Sequence, residues 1–147
     1  MQLVVLGLNH KTVPVDIREQ FAISPDSARS GLIHLDEQEG IEEAVVLSTC
    51  NRTEIYAVLK DETAKETLYD FFLALSGNSE AKDEYFFFFE GEACIRHLFE
   101  VVSGLDSMVI GESQILNQIK TAYTMALEEK ATRTILNTLF HRAIRTG

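Results

Sequence analysis

No apolar run in the chain approaches the ~20 residues that a membrane-crossing helix needs, so no bilayer span is expected. Cysteine is equally scarce. Cys50 and Cys94 are too few for a disulfide framework, and without an export signal they read as reduced thiols. The N-terminus enters Leu3-Val4-Val5-Leu6 directly, with neither a basic leader nor a cleavage site, which points to a cytoplasmic protein. No Cys/His pair has zinc spacing, and His10, His34, His97 and His141 stand isolated, so no metal site is expected. No glycine fingerprint follows a strand and no phosphate-binding loop occurs, which argues against a nucleotide domain. Aromatic and basic residues are not interleaved as single-strand binders require. Internal repeats and low-complexity tracts are absent too.

At 147 residues the chain suits one domain, or a domain with an appendage, and can bury a real core. Its net charge of −10 is unevenly spread. Residues 1–129 carry 9 basic and 23 acidic side chains, a balance of −14. Residues 130–147 hold Lys130, Arg133, Arg142 and Arg145 without an acid, a balance of +4. An acidic body opposes phosphate binding, so a nucleic acid would dock through a local patch such as this tail. A solvated helix face accounts for the tail more simply.

Hydrophobic periodicity orders the chain. Leu3 to Leu8 reads as a strand, followed by a loop over Asn9 to Pro14. Ser24-Pro25-Asp26 is a helix start, with Ala28, Leu32 and Leu35 on one face and Gly40 as the stop. Ala44–Leu47 and Ile55–Leu59 form a hairpin. Glu62 to Leu75 is helical and closes at Gly77-Asn78. Tyr85 to Phe89 is a strand apolar on both faces, so something must cover each side. This β-α-β-β-α-β order predicts an α+β fold, a ferredoxin-like antiparallel sheet over residues 1–90. Residues 91–147 supply a C-terminal helical appendage. Its first helix carries Cys94, Leu98, Val101 and Val102; the second is marked by Ile115, Ile119, Ala122 and Ala126, the third by Ile135, Leu139 and Ile144.

Between the hairpin strands lies a polar elbow, Leu47-Ser48-Thr49-Cys50-Asn51-Arg52-Thr53-Glu54. Cysteine usually packs as a small buried hydrophobe, so Cys50 among such neighbours is unusual. Arg52 favours the thiolate, which is the reactive form. Local chemistry alone leaves a reactive Cys50 and an incidental one both open. His97 stands on a helix beside the Cys94 stripe, where a lone histidine is more often satisfied or exposed than functional. The segment Ser103 to Gln114 reads as an interhelix connection, or as a tight turn presenting Ser107, Glu112 and Gln114 as hydrogen-bonding groups.

Three stretches carry a family resemblance. Gly7-Leu8-Asn9-His10-Lys11-Thr12-Val13-Pro14, with Ile17-Arg18-Glu19 after it, resembles the opening signature of glutamyl-tRNA reductases. Ser48-Thr49-Cys50-Asn51-Arg52-Thr53-Glu54 resembles their active-site motif, and Gly104 through Leu116 resembles their third motif. Val13 is a small apolar departure in the first. The resemblance implies that Cys50 attacks glutamyl-tRNA(Glu), forming a thioester that NADPH reduces to glutamate-1-semialdehyde for tetrapyrrole synthesis. It implies His97 as a second catalytic residue, Arg52 as the grip on the substrate carboxylate, and Thr49, Ser107, Glu112 and Gln114 as further substrate contacts. In complete enzymes of this kind, a long linking helix leads to an NADPH-binding domain and a dimerisation domain. A homodimer and a downstream aminomutase partner are therefore implied for the full-length enzyme. Neither extra domain is expected here, so this chain reads as a fragment that is acylated without reducing its thioester. Two other classes compete: a thiol acyl hydrolase, and a non-catalytic ferredoxin-like binding module.

Overall fold

Strand β1 (Gln2–Asn9) is apolar on both sides, with Val4, Leu6 and Leu8 facing one way and Leu3 and Val5 the other. A strand of that kind belongs in the middle of a covered sheet. In the computed structural model, which describes residues 1–104 and 114–147, it sits there. It pairs with β3 (Arg52–Leu59) over eight positions, from Gln2↔Leu59 to Asn9↔Arg52. It also pairs with β4 (Phe87–Glu90) over four, from Val4↔Glu90 to Gly7↔Phe87. Strand β2 (Ile41–Ser48) pairs with β3 on the far side. The sheet order is β2-β3-β1-β4, and all three pairings are antiparallel.

Helices cover both faces. α2 (Pro25–Ile33) starts as its sequence dictates, with Ser24 Oγ accepting from Ser27 N at 3.1 Å and Pro25 in the first turn. It packs on α3 (Lys65–Ser76), which ends at Gly77 with φ +72°. α3 sets Phe72 edge-on to Phe86, ring centroids 5.2 Å apart. On the opposite face lie α4 (Glu92–Val102), α5 (Gln114–Glu128) and α6 (Thr134–Thr146). α4 packs on β1, α5 on β2, and α6 on β2 and β3. One hydrophobic core runs through both layers, from Val4 and Ile55 to Leu98, Ile119 and Phe140. The three C-terminal helices are thus the second cover that the phenylalanine run requires.

Several boundaries differ from the periodicity reading. α1 (Val15–Gln20) occupies a stretch with a single inward apolar residue, Ile17, too short a pattern to announce a helix. α2 stops at Ile33, and Leu35 reaches the core from a 3-10 turn (Leu35–Glu37) instead. Tyr85 falls in another 3-10 turn, so β4 begins at Phe87 rather than Tyr85. As an edge strand, β4 leaves its phenylalanines half-buried.

Arg133, the residue that precedes α6, offers no capping oxygen of its own. The cap comes from the sheet: Glu43, 3 % exposed on β2, accepts from Arg133 N at 2.7 Å and Leu136 N at 2.9 Å. A carboxylate at a helix N-terminus satisfies two orphan donors and complements the helix dipole. Glu43→Ala is expected to cost about 2 kcal/mol. Thermal unfolding would then begin roughly 6 °C lower, and an unchanged midpoint refutes the assignment.

Candidate active site

The polar elbow forms the tip of the β2–β3 hairpin. Ser48↔Thr53 is the last strand pair, and Thr49 N donates to Arg52 O at 2.8 Å to close the turn. Asn51 N donates to Thr49 Oγ1 at 3.1 Å, so the Thr49 hydroxyl shapes the loop beside the thiol. Ile23 N donates to Ser48 Oγ at 3.0 Å and ties the hairpin to the segment before α2. Cys50 sits at the apex and is exposed. Beneath it, α1 delivers the buried Arg18, whose Nε donates to Cys50 O at 3.4 Å and whose Nη1 donates to Val13 O at 2.9 Å.

Below the apex, β3 places Arg52, Glu54 and Tyr56 on one face at alternate positions. All three are essentially sealed from solvent. Glu54 is their hub. Arg52 Nη1 lies 3.0 Å from its Oε2, and Tyr56 donates its hydroxyl to Oε1 at 2.7 Å. From α4, His97 Nε2 reaches Oε2 at 2.7 Å. The His97 ring is packed against Phe87 and Phe89, with centroids 4.9 and 5.3 Å away, and over Tyr56 at 6.5 Å. Burial by itself would push the Glu54 carboxyl up. The hydrogen bond and charge of His97, the charge of Arg52 and the Tyr56 hydroxyl outweigh it, holding Glu54 below the usual carboxylate value. For Tyr56, burial and then the Glu54 charge push the phenol well above its ordinary value, so it stays a donor. An ionised carboxylate can only accept, which assigns the proton on Nε2 to His97 and leaves Nδ1 as its second working atom.

The hub needs room, and Gly7 provides it. Gly7 lies opposite Glu54 on β1, where a Cβ would stand 2.8 Å from Glu54 Cγ and from Thr53 O, and 2.9 Å from Phe87 Cζ.

The two thiols are in opposite situations. Cys94 is fully buried on α4, and burial, followed by the nearby Glu54 charge, pushes it up to about 12. Iodoacetamide at neutral pH should therefore modify Cys50 at least roughly a hundredfold faster than Cys94. Mapping the alkylated peptides checks this, and comparable labelling of both would contradict it.

The sequence of the family described as glutamyl-tRNAGlu reductase, N-terminal domain, matches residues 6–147. This chain belongs to that family. The glutamyl-tRNA reductase of Rubrobacter xylanophilus is 46% identical over 150 residues, covering 100% of this chain and 34% of that protein. The one from Exiguobacterium is 47% identical over 146 residues, covering 98% and 33%. The solved structure of glutamyl-tRNA reductase from Methanopyrus kandleri superimposes with a TM-score of 0.79 at 33% identity, covering 97% of this chain and 32% of that one. The chain spans about a third of the length of the relatives it matches.

In this chain, Thr49 and Cys50 share the turn, while Arg52 and His97 converge on one oxygen of Glu54. Gln114 is exposed at the start of α5, with no hydrogen bond to the hairpin among the described residues. Ser107 and Glu112 lie outside the described residues. The residues that motif reasoning did not single out are Glu54, Tyr56 and Arg18. Period-two reading of β3 carried the signal for two of them. A glutamate in mid-strand on the same face as an arginine and a tyrosine is affordable only if they satisfy one another.

Proposed function

We propose that this chain is the acyl-accepting part of a glutamyl-tRNA reductase, with Cys50 as the nucleophile and His97 as its acid–base partner. The observation that carries this reading is an exposed thiol at a rigid hairpin tip, above a buried Arg52–Glu54–His97 cluster. The Cys50 sulfur, as thiolate, attacks the carbonyl carbon of the glutamyl ester, forming a carbon–sulfur bond. The carbon–oxygen bond to the tRNA then breaks, the departing ribose oxygen takes a proton, and a glutamyl thioester remains. Glu54 fixes the His97 tautomer, so Nδ1 is the atom that holds or supplies that proton. Thr49, Ser107, Glu112 and Gln114 are assigned to the glutamyl group. Arg52 is assigned to its side-chain carboxylate, a pairing that requires the guanidinium, sealed against Glu54 in this structure, to be uncovered as the glutamyl group enters.

The scaffold reads as ferredoxin-like, because β2-β3-β1-β4 is the order a β-α-β-β-α-β chain takes when its two β-α-β halves interleave. NADPH does not fit the described residues. Their sheet has no parallel pair, and α4, which follows β4 through Gly91, opens on Glu90 and Glu92, whose charge repels a pyrophosphate. Reduction to the semialdehyde is assigned to the two thirds of the relatives' length that this chain does not span.

Intact-mass measurement after mixing the chain with glutamyl-tRNA tests the proposal. A glutamyl adduct on Cys50 is expected, absent from Cys50→Ser and reduced at least tenfold in Arg52→Lys, which cannot reproduce a two-pronged pairing. No adduct on the unaltered chain refutes it. Steady release of glutamate without any nicotinamide points to the hydrolase reading, which the solvent exposure of Cys50 favours.

A further inference from the structure

Arg18 is only 8 % exposed, yet its guanidinium forms no ion pair among the described residues. It spends two donors on main-chain oxygens, Nη1 on Val13 O at 2.9 Å and Nε on Cys50 O at 3.4 Å. Burying a cation on neutral carbonyls is a costly way to hold a fold together, since an apolar side chain would fill the same space without losing hydration. The return lies in where the two carbonyls are. Val13 ends the turn that Asn9 and Thr12 organise after β1. Cys50 is the apex of the hairpin. A planar fork gripping both oxygens sets the orientation of the Cys50 peptide, and hence of its Cα–Cβ bond. Of the two apex residues between Thr49 and Arg52, Asn51 is tied by its N–H to Thr49 Oγ1, whereas the Cys50 carbonyl is held by Arg18 Nε.

Resting on the function proposed above, we infer that Arg18 is the positioning residue for the nucleophile: it locks the Cys50 carbonyl to the Val13 carbonyl and thereby aims the sulfur at the ester. Geometry rather than charge is what it supplies. Lysine keeps the charge but reaches a single carbonyl, so Arg18→Lys should fail as Arg18→Gln does.

The test uses the whole chain with glutamyl-tRNA. In both variants the saturating rate of adduct formation should fall about 30- to 100-fold, the effect expected of a small misplacement of a reacting group. The half-saturating tRNA concentration should stay within about threefold, since no substrate contact is removed. Alkylation of Cys50 by iodoacetamide, which needs access but no aim, should also stay within about threefold, and Cys94 should remain protected. Full activity in Arg18→Lys, or equal losses in alkylation and adduct formation, overturns the positioning role. Exposure of Cys94 in both variants overturns it too, by showing a purely structural part. If the unaltered chain forms no adduct, the proposed function falls and this inference with it.

Discussion

Glu54→Gln is expected to destabilise the chain by about 3 kcal/mol, the usual consequence of removing one partner from a buried charge cluster. The glutamine is nearly isosteric, so no cavity explains the loss. What changes is that Arg52, fully buried, loses the negative charge at 3.0 Å, and His97 Nε2 loses an acceptor that can only accept. Thermal unfolding should move down by roughly 10 °C. A double-mutant cycle with Arg52→Met makes the assignment specific. If the two side chains answer each other, the double variant is less damaged than the separate losses imply, by at least about 1 kcal/mol. Additive losses would show that Glu54 and Arg52 do not share their burial.

The same residue sets an acid limb. Glu54 is held below its ordinary value in the folded chain, so its contribution is complete above the unfolded carboxylate value, about 4.3, and drains away as pH falls through the folded value. The stability gap between the unaltered chain and Glu54→Gln should therefore be constant from pH 7 to about 5 and narrow below that. A gap that widens on acidification would reverse the sign of the argument. Urea unfolding at a series of pH values reads it directly.

Gly7→Ala should be nearly as damaging although it adds one methyl group. Of the three atoms that the new Cβ would meet at 2.8–2.9 Å, Thr53 O belongs to the backbone ladder and cannot move alone. Glu54 Cγ can yield only by dragging the carboxylate away from His97. Overpacking of this kind costs about 2–3 kcal/mol. Gly77→Ala is the control. A Cβ there meets nothing within 4 Å, and the cost is confined to its φ of +72°, about 1 kcal/mol. The two alanines should also separate in function. Gly7→Ala disturbs the His97–Glu54 contact and should slow acylation of Cys50 at least tenfold, whereas Gly77→Ala should leave it unchanged. Equal stability losses, or an undisturbed acylation rate in Gly7→Ala, would show that the close approach at Gly7 is not what holds the hub in place.

Much of the scaffold was legible because it rests on local rules. Ser24 and Pro25 start α2, Gly77 ends α3, and the apolar stripes of α4 and α5 face the core. The demand of the phenylalanine run for a second cover followed from the same reasoning. Phe87 and Phe89 lie against His97 of α4, while Phe86 meets Phe72 of α3. Where length fell below a full pattern, local reading failed, as at α1 and at the start of β4. The elbow around Cys50 could be recognised because a cysteine among polar residues between two strands is itself an anomaly. Glu54 went unremarked in the same motif because a glutamate excites no suspicion until its burial is known.

By itself, then, the order of residues determined the succession of strands and helices apart from α1, the hairpin, the exposed place of Cys50 and the family signature, since each depends on neighbours within a few positions. Only the tertiary structure decided that Glu43 on β2 caps α6, that Arg18 grips the Cys50 carbonyl, and that Arg52 and His97 meet on one oxygen of Glu54. Those contacts join residues up to 93 positions apart. Their strength comes from removal of water around charged groups, and desolvation is a property of the packed molecule that no short stretch of chain possesses.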